Sequence, residues 1–265
     1  MPFFDGQHER IYYREWDVVR PVAGVVWLHG GGEHSGQYSR LASALNGRGV
    51  NVWAPDHQGH GISGGAPHHS GGVTNIAADV ERLLGIIRSS WPELPLVIGG
   101  HSLGGWTTAL TIVRDASSYA GAVIVGASLQ PLSLSVAFES DDENLYFDTS
   151  VLAADPGYLE ELEKDPLVHL AIPKSAPVGS SLNDVVPVLD AGLPDLDLPV
   201  LLISGTKDVL APIDAVRDWA TRIPGARQLE IVDGLHNVVN DVDHRQVSTA
   251  IADFVVDVAG RPNRA

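Results

Sequence analysis

The chain has 265 residues, 44% hydrophobic and 19% charged, which suits one domain carrying an insertion better than two independent domains. Its 33 acidic and 17 basic residues give a net charge of −16, which argues against nucleic acid or an anionic membrane as partner. There are no cysteines, so disulfides, thiolate zinc sites and cysteine nucleophiles are excluded.

The N-terminal MPFFDGQHER lacks the basic start and apolar run of a signal peptide. No apolar run approaches the ~18 residues of a membrane span. These features predict a soluble, cytoplasmic protein without stable membrane insertion; the oligomeric state is not readable. In chain order, strands are predicted at Ile11–Trp16, Ala23–Leu28, Val50–Ala54, Leu96–Gly99, Ala122–Val125, Val200–Ser204 and Leu229–Val232. Several are apolar at nearly every position, as strands buried on both faces should be. Between them, Ile76, Val80, Leu83, Leu84, Ile87 and Trp91 follow helical spacing, with Thr74 placed to cap the start. Val247, Ile251, Phe254, Val255 and Val258 repeat the pattern near the C-terminus. The alternation implies βαβ units around a mostly parallel, doubly wound sheet.

The rhythm breaks over residues 128–192. Twelve acids against Lys164 and Lys174 give this stretch −10 of the total charge. It is too long for a connecting loop. It reads as an inserted lid, leaving 1–127 and 193–265 as the core. Its Leu132, Leu134, Val136, Phe138, Leu145 and Phe147 could line an apolar site, with Phe138 and Phe147 as candidates for binding a substrate.

The pattern G-x-S-x-G occurs at Gly100–Gly104 and again at Gly61–Gly65. Nucleophilic chemistry needs a strand, a strained turn and an immediate helix, so that the serine oxygen faces the positive end of the helix. Leu94–Gly99 and Trp106–Val113 supply the strand and the helix around Ser102. Ser63 has neither and reads as a loop residue. An exposed serine needs a base and an acid, which follow in the order Ser, acid, His on loops after later strands. Asp208 lies just past Val200–Ser204, and His236 just past Leu229–Val232. Asp195 and Asp197 precede their strand, and Asp214 and Asp218 fall on the next helix. Acyl transfer also needs two N–H donors for the oxyanion. Leu103 supplies one, and the glycines after His29 bare a backbone for the other.

His29-Gly30-Gly31-Gly32-Glu33-His34-Ser35-Gly36-Gln37-Tyr38 resembles the oxyanion loop of monoacylglycerol lipases and bacterial lysophospholipase-like hydrolases. Asp56-His57-Gln58-Gly59-His60-Gly61-Ile62-Ser63 is similar to their second signature, and Gly100–Gly105 to their nucleophile elbow. The resemblance implies an α/β-hydrolase fold with an inserted lid (cap), no cofactor, and Gly31 and Leu103 as the oxyanion donors. It also marks Glu33, Gln37 and Val239 as substrate-binding positions. Gln37 stands where an Arg is usual in lipases that bind glycerol, and Val239 where a second His is usual, which weakens recognition of a diol.

The implied reaction is hydrolysis of a small-molecule ester through an acyl-enzyme. Ser102 attacks, His236 is the base and Asp208 orients it. The same parts would serve a thioesterase, lactonase, amidase, acyltransferase or monoalkyl phthalate-type esterase, or persist in a non-enzymatic ligand receptor. Asp56, His57, His60, His68 and His69 could be read as a metal cluster. Their Gly-rich loop lacks the rigid element that metal pairs use, so no metal is expected.

Overall fold

Eight strands align in the order β1-β2-β4-β3-β5-β6-β10-β11 in a computed structural model describing residues 2–131, 138–140, 143–176 and 178–261. Side chains at 138–140, 147 and 178–180 lie outside that description. The strands are β1 (Phe3–Asp5), β2 (Arg10–Trp16), β3 (Ala23–Leu28), β4 (Val50–Pro55), β5 (Leu96–His101), β6 (Gly121–Val125), β10 (Val200–Gly205) and β11 (Arg227–Ile231). Strand β2 runs antiparallel to β1 and β4, and every later pairing in this sheet is parallel.

Alternate residues of the buried strands feed two cores. Val26, Leu28, Ile98, Ile124 and Leu202 pack under α2 (Gly72–Ser90), α3 (Leu103–Arg114), α5 (Val178–Gly192) and α6 (Ile213–Arg222). Val25, Trp27, Val52, Val97 and Ile203 face α1 (Ser39–Asn46) and α7 (His244–Ala259) on the other side. Strand periodicity of two makes this division automatic. The connection after β3 leads to β4 on one side, whereas that after β5 leads to β6 on the other. Their C-terminal ends therefore diverge and open a crevice, the usual place for a ligand in such sheets.

Three local readings of the sequence differ from the fold. Strand β1 goes unpredicted because its three residues are too short to show a period. Helix α2 begins before Thr74, which lies in its first turn; the Gly72 N–H instead donates to Ser70 Oγ at 3.2 Å. Strand β11 ends at Ile231 and leaves Val232 76% exposed, because an edge strand paired only to β10 does not need continuous apolar residues.

The stretch 128–192 divides in two. Strands β7 (Phe138–Ser140), β8 (Asn144–Phe147) and β9 (Ala171–Pro173) form a separate antiparallel sheet, with α4 (Pro156–Lys164) between β8 and β9. Helix α4 and its flanks build a small cluster of their own around Ala153, Tyr158 and Leu162. Helix α5 instead places Leu182, Val185, Val186 and Leu189 in the main core with α2 and α3.

The division is testable by stability. Leu189→Ala should lower the unfolding free energy by about 2–5 kcal/mol in urea denaturation, the range for truncating a fully buried leucine. Val188→Ala, on the exposed face of the same helix, should cost less than about 0.5 kcal/mol. Equal small losses would mean that α5 does not belong to the core.

Candidate active site

Strand β5 runs straight into α3 with Ser102 as the single joining residue. Its backbone sits at φ 53°, ψ −116°, a conformation that costs a non-glycine residue on the order of 1–3 kcal/mol. The surroundings hold it there: the Ser102 N–H donates to the Val125 carbonyl at 2.9 Å, and two glycines let the backbones meet. A Cβ on Gly104 would stand 2.1 Å from the Leu28 oxygen, and one on Gly100 would stand 2.5 Å from the Gly104 carbonyl. The second G-x-S-x-G is structural. Ser63 Oγ donates to the Asp56 carbonyl at 2.6 Å and accepts the Tyr12 N–H at 2.9 Å, pinning a loop to β2.

Asp208 and His236 lie on the loops after β10 and β11 and converge on Ser102. His236 Nδ1 lies 2.9 and 3.0 Å from the two Asp208 oxygens, and His236 Nε2 lies 2.9 Å from Ser102 Oγ. The carboxylate is fixed in turn by N–H groups of Leu210 and Ala211, both at 2.9 Å. With Nδ1–H donated to the carboxylate, Nε2 is left to accept the serine proton. Burial pushes the His236 pKa down, but the charge of Asp208, its hydrogen bond and the more distant Glu33 outweigh this, so the net direction is up. The other weighed acids lie elsewhere. Asp195 ends a 3-10 turn before β10, and Asp214 and Asp218 sit on α6.

The loop after β3 enters the crevice beside Ser102. Gly31 faces open space, with nothing within 4 Å of where its Cβ would be. Leu103 is the first residue of α3, so its N–H has no intrahelical acceptor. Glu33 is buried and receives five donors. Gly30 N–H (2.7 Å) and the Tyr38 hydroxyl bond to Oε2, with His101 Nδ1 at 3.4 Å. Asn237 Nδ2 (2.5 Å) and the Tyr158 hydroxyl (3.2 Å) bond to Oε1. Burial opposes its charge, but the imidazole of His101 and the hydrogen bonds hold its pKa down to about 2. Gln37 turns away to accept the His34 N–H at 3.2 Å, and Val239 is packed in the α1–α7 core. Thus Ser102, Asp208, His236, Gly31 and Leu103 come together, whereas Gln37 and Val239 do not face them.

A small cavity of about 20 Å³ lies over Ser102, walled by Gly30, Gly31, Gly32, Glu33, His101 and His236 from the core. Leu152, Leu162, Val168 and Leu170 close it from the other side. Sequence reasoning missed these four; their only signal is the apolar spacing before, through and beyond α4. Of the lining residues it chose, Leu132, Leu134 and Val136 lie outside the described residues, as do the side chains of Phe138 and Phe147. A larger cleft of about 750 Å³, away from Ser102, lies between Gln37, Arg40 and α4.

The histidine-rich loops serve as scaffold. His57 Nε2 donates to the His29 carbonyl at 3.0 Å while the His57 N–H donates to His29 Nε2 at 2.9 Å. His68 Nε2 donates to the His169 carbonyl at 2.8 Å, and the His169 N–H donates to the Gly32 carbonyl at 2.8 Å. His69 Nδ1 is used by the Pro67 carbonyl, and Asp56 accepts N–H groups of Ser35 and Ile62. Among the described residues no group of three or more His, Asp or Glu is arranged to hold a metal. Among them, too, no helix is long and apolar enough to cross a membrane.

The sequence profile of the family described as serine aminopeptidase, S33, matches residues 19–243. The monoacylglycerol lipase of Mycolicibacterium smegmatis is 29% identical over 264 residues, covering 93% of each protein. The monoglyceride lipase of Homo sapiens is 31% identical over 219 residues, which is 78% of this chain and 71% of the relative. The crystal structure of a monoacylglycerol lipase from Paleococcus ferrophilus aligns with a TM-score of 0.80 at 25% identity, covering 94% of this chain and 99% of that one. The chain belongs to the serine aminopeptidase S33 family, has the α/β-hydrolase fold, and is a serine ester hydrolase akin to the monoglyceride lipases.

The buried imidazoles set a pH limit on the fold. Burial lowers His57 and His68 to about 4, and His29 and His60 well below the ordinary 6.5. The unfolded chain takes up these protons near pH 6.5 and the folded chain does not, so stability is lost as pH falls from 6.5 towards 4. His236 acts in the opposite sense: its contribution is complete below 6.5 and is lost as pH rises through its raised folded value. The melting temperature should therefore drop steadily between pH 6.5 and 4.5. A flat profile over that range would contradict the burial of neutral imidazoles.

Proposed function

We propose that this chain hydrolyses neutral carboxylic monoesters through an acyl-enzyme on Ser102. His236 takes the Ser102 proton as the hydroxyl attacks the acyl carbon, and Asp208 holds the imidazole in the productive tautomer. The N–H groups of Gly31 and Leu103 stabilise the oxyanion. Collapse of the tetrahedral intermediate expels the alcohol, with His236 returning the proton. Water activated by the same imidazole then releases the acid. The single observation that carries this reading is the chain of contacts Asp208–His236–Ser102, each within 3.0 Å, on a strained elbow facing the Gly31 loop.

The substrate class follows from the walls. Leu152, Leu162, Val168 and Leu170 suit an acyl chain. A space of about 20 Å³ holds one water and no chain, so substrate entry requires the covering segment that carries Leu152, Leu162, Val168 and Leu170 to move outward. The relatives named monoglyceride lipases suggest a glycerol ester as one substrate. Three observations favour a broader alcohol range: Glu33 has its oxygens engaged, Gln37 bonds to His34, and Val239 lies in the core.

Ser102→Ala should lower ester hydrolysis by at least ~10³-fold, whereas Ser63→Ala should retain most of it. A fluorophosphonate probe should label the wild type at Ser102. Comparable losses in the two variants would sink the assignment. At matched acyl length, kcat/KM for methyl and glycerol esters should agree within about tenfold and exceed that for an anionic half-ester. A large advantage for either the glycerol or the anionic ester would show a head-group site not identified in this pocket.

A further inference from the structure

The geometry points to Glu33 as a positioning residue that joins the oxyanion loop, the nucleophile elbow, the base loop and α4 into one unit. Through it, seating of the covering segment governs the chemical step and not the affinity for any particular alcohol. The inference rests on Ser102 being the nucleophile.

The five donors to this carboxylate come from four parts of the chain, and three of them stand next to a working group. Gly30 precedes Gly31 in the loop after β3. His101 precedes Ser102, and its ring spans from Glu33 to the His236 carbonyl, with Nε2 3.2 Å from that oxygen. Asn237 follows His236, and its side chain bridges Glu33 and the Tyr158 hydroxyl at 2.5 and 2.7 Å. Tyr158 lies on α4, and Tyr38 anchors the far side of the loop. The same base loop is tied again to the covering segment: the Asn237 N–H donates to the Leu152 carbonyl at 2.7 Å. When the covering segment lifts, Glu33 and Asn237 lose Tyr158 together, and both sides of the reacting carbon lose a support.

A direct substrate role for Glu33 fits the observations less well. Both oxygens are already engaged, and the side chain is about nine-tenths buried. A carboxylate so placed is costly unless every lone pair is used, and here the donors that use them are protein groups. Its charge also reaches the base. Removing a negative neighbour disfavours the imidazolium, so His236 should titrate lower without Glu33, with Asp208 and the His101 ring, 4.8 Å away, as the other ionisable groups facing it.

The test compares wild type, Glu33→Gln, Tyr158→Phe and Ser102→Ala on methyl and glycerol esters of one acyl length, with circular dichroism to confirm folding. Glu33→Gln should lower kcat by at least ~30-fold on both esters, with KM within about threefold, and should move the acid limb of kcat/KM to lower pH. Tyr158→Phe leaves the carboxylate its other donors and should lower kcat by roughly 3–10-fold, again alike for both esters. If Glu33→Gln does not fold, the Tyr158→Phe result decides. A loss confined to the glycerol ester, or carried by KM, would overturn the inference in favour of alcohol binding. Unchanged kcat in the folded variants would overturn it outright. Activity retained by Ser102→Ala would instead overturn the nucleophile assignment, whatever the Glu33 result.

Discussion

The site depends on one close approach, that of the first turn of α3 to the end of β3. Strands β3 and β5 pair so that Leu28 lies opposite Gly100, and Gly104 then presses its backbone onto the Leu28 carbonyl. No methyl group fits between them, so the serine leaving β5 and the loop leaving β3 cannot drift apart. Donors aimed at a developing charge work best when they do not have to move at the moment of reaction. The sheet supplies that rigidity at no cost to the loops, which remain free to carry chemistry. The strain at Ser102 is held in place by the same packing, since its N–H is committed to β6.

Most of this was legible from the sequence because it is local. A strand, a serine between glycines and an immediate helix identify Ser102 within a dozen residues. Asp208 and His236 follow from their places past strand tips. What was not legible depends on distant partners. Nothing near α5 says that Leu182 and Leu189 face the main core, because that depends on where α2 and α3 present a groove. Val239 reads as a site position by resemblance, but its fate is set by α1 and α7 packing over it. The bond from Tyr158, 125 residues away, to Glu33 is equally invisible in the sequence around Glu33. The acyl-side wall likewise comes from chain far from the nucleophile, where only amphipathic spacing hints at a role.

Two buried carboxylates thus divide the work. Asp208 touches the base directly and fixes its tautomer, and two backbone N–H groups fix Asp208. Glu33 instead bonds to Gly30, His101 and Asn237, the neighbours of Gly31, Ser102 and His236. Each would cost several kcal/mol if left without donors, so a site holding both is stable only when its loops are fully assembled. That requirement favours a single arrangement of the loops. The imidazoles of His29, His57, His60 and His68 add no charge to this balance near neutral pH, because their own burial lowers them.

These buried charges also bear on which esters the site prefers. The acidic residues of 128–192 dominate the sequence's charge balance, but those on the outer surface of α4, such as Glu160, Glu161 and Glu163, face solvent. Beyond a Debye length of about 8 Å, salt screens most of their field. Glu33 and Asp208 sit inside the site, where the effective dielectric is low and a unit charge several ångströms away is worth on the order of kcal/mol. Their field reaches a bound anionic leaving group with little screening. The imidazolium formed during attack offsets part of the repulsion, but only transiently and on the side of the leaving oxygen. Selection against anionic esters should therefore depend only weakly on added salt, because its source lies within the walls and not on the covering segment's surface.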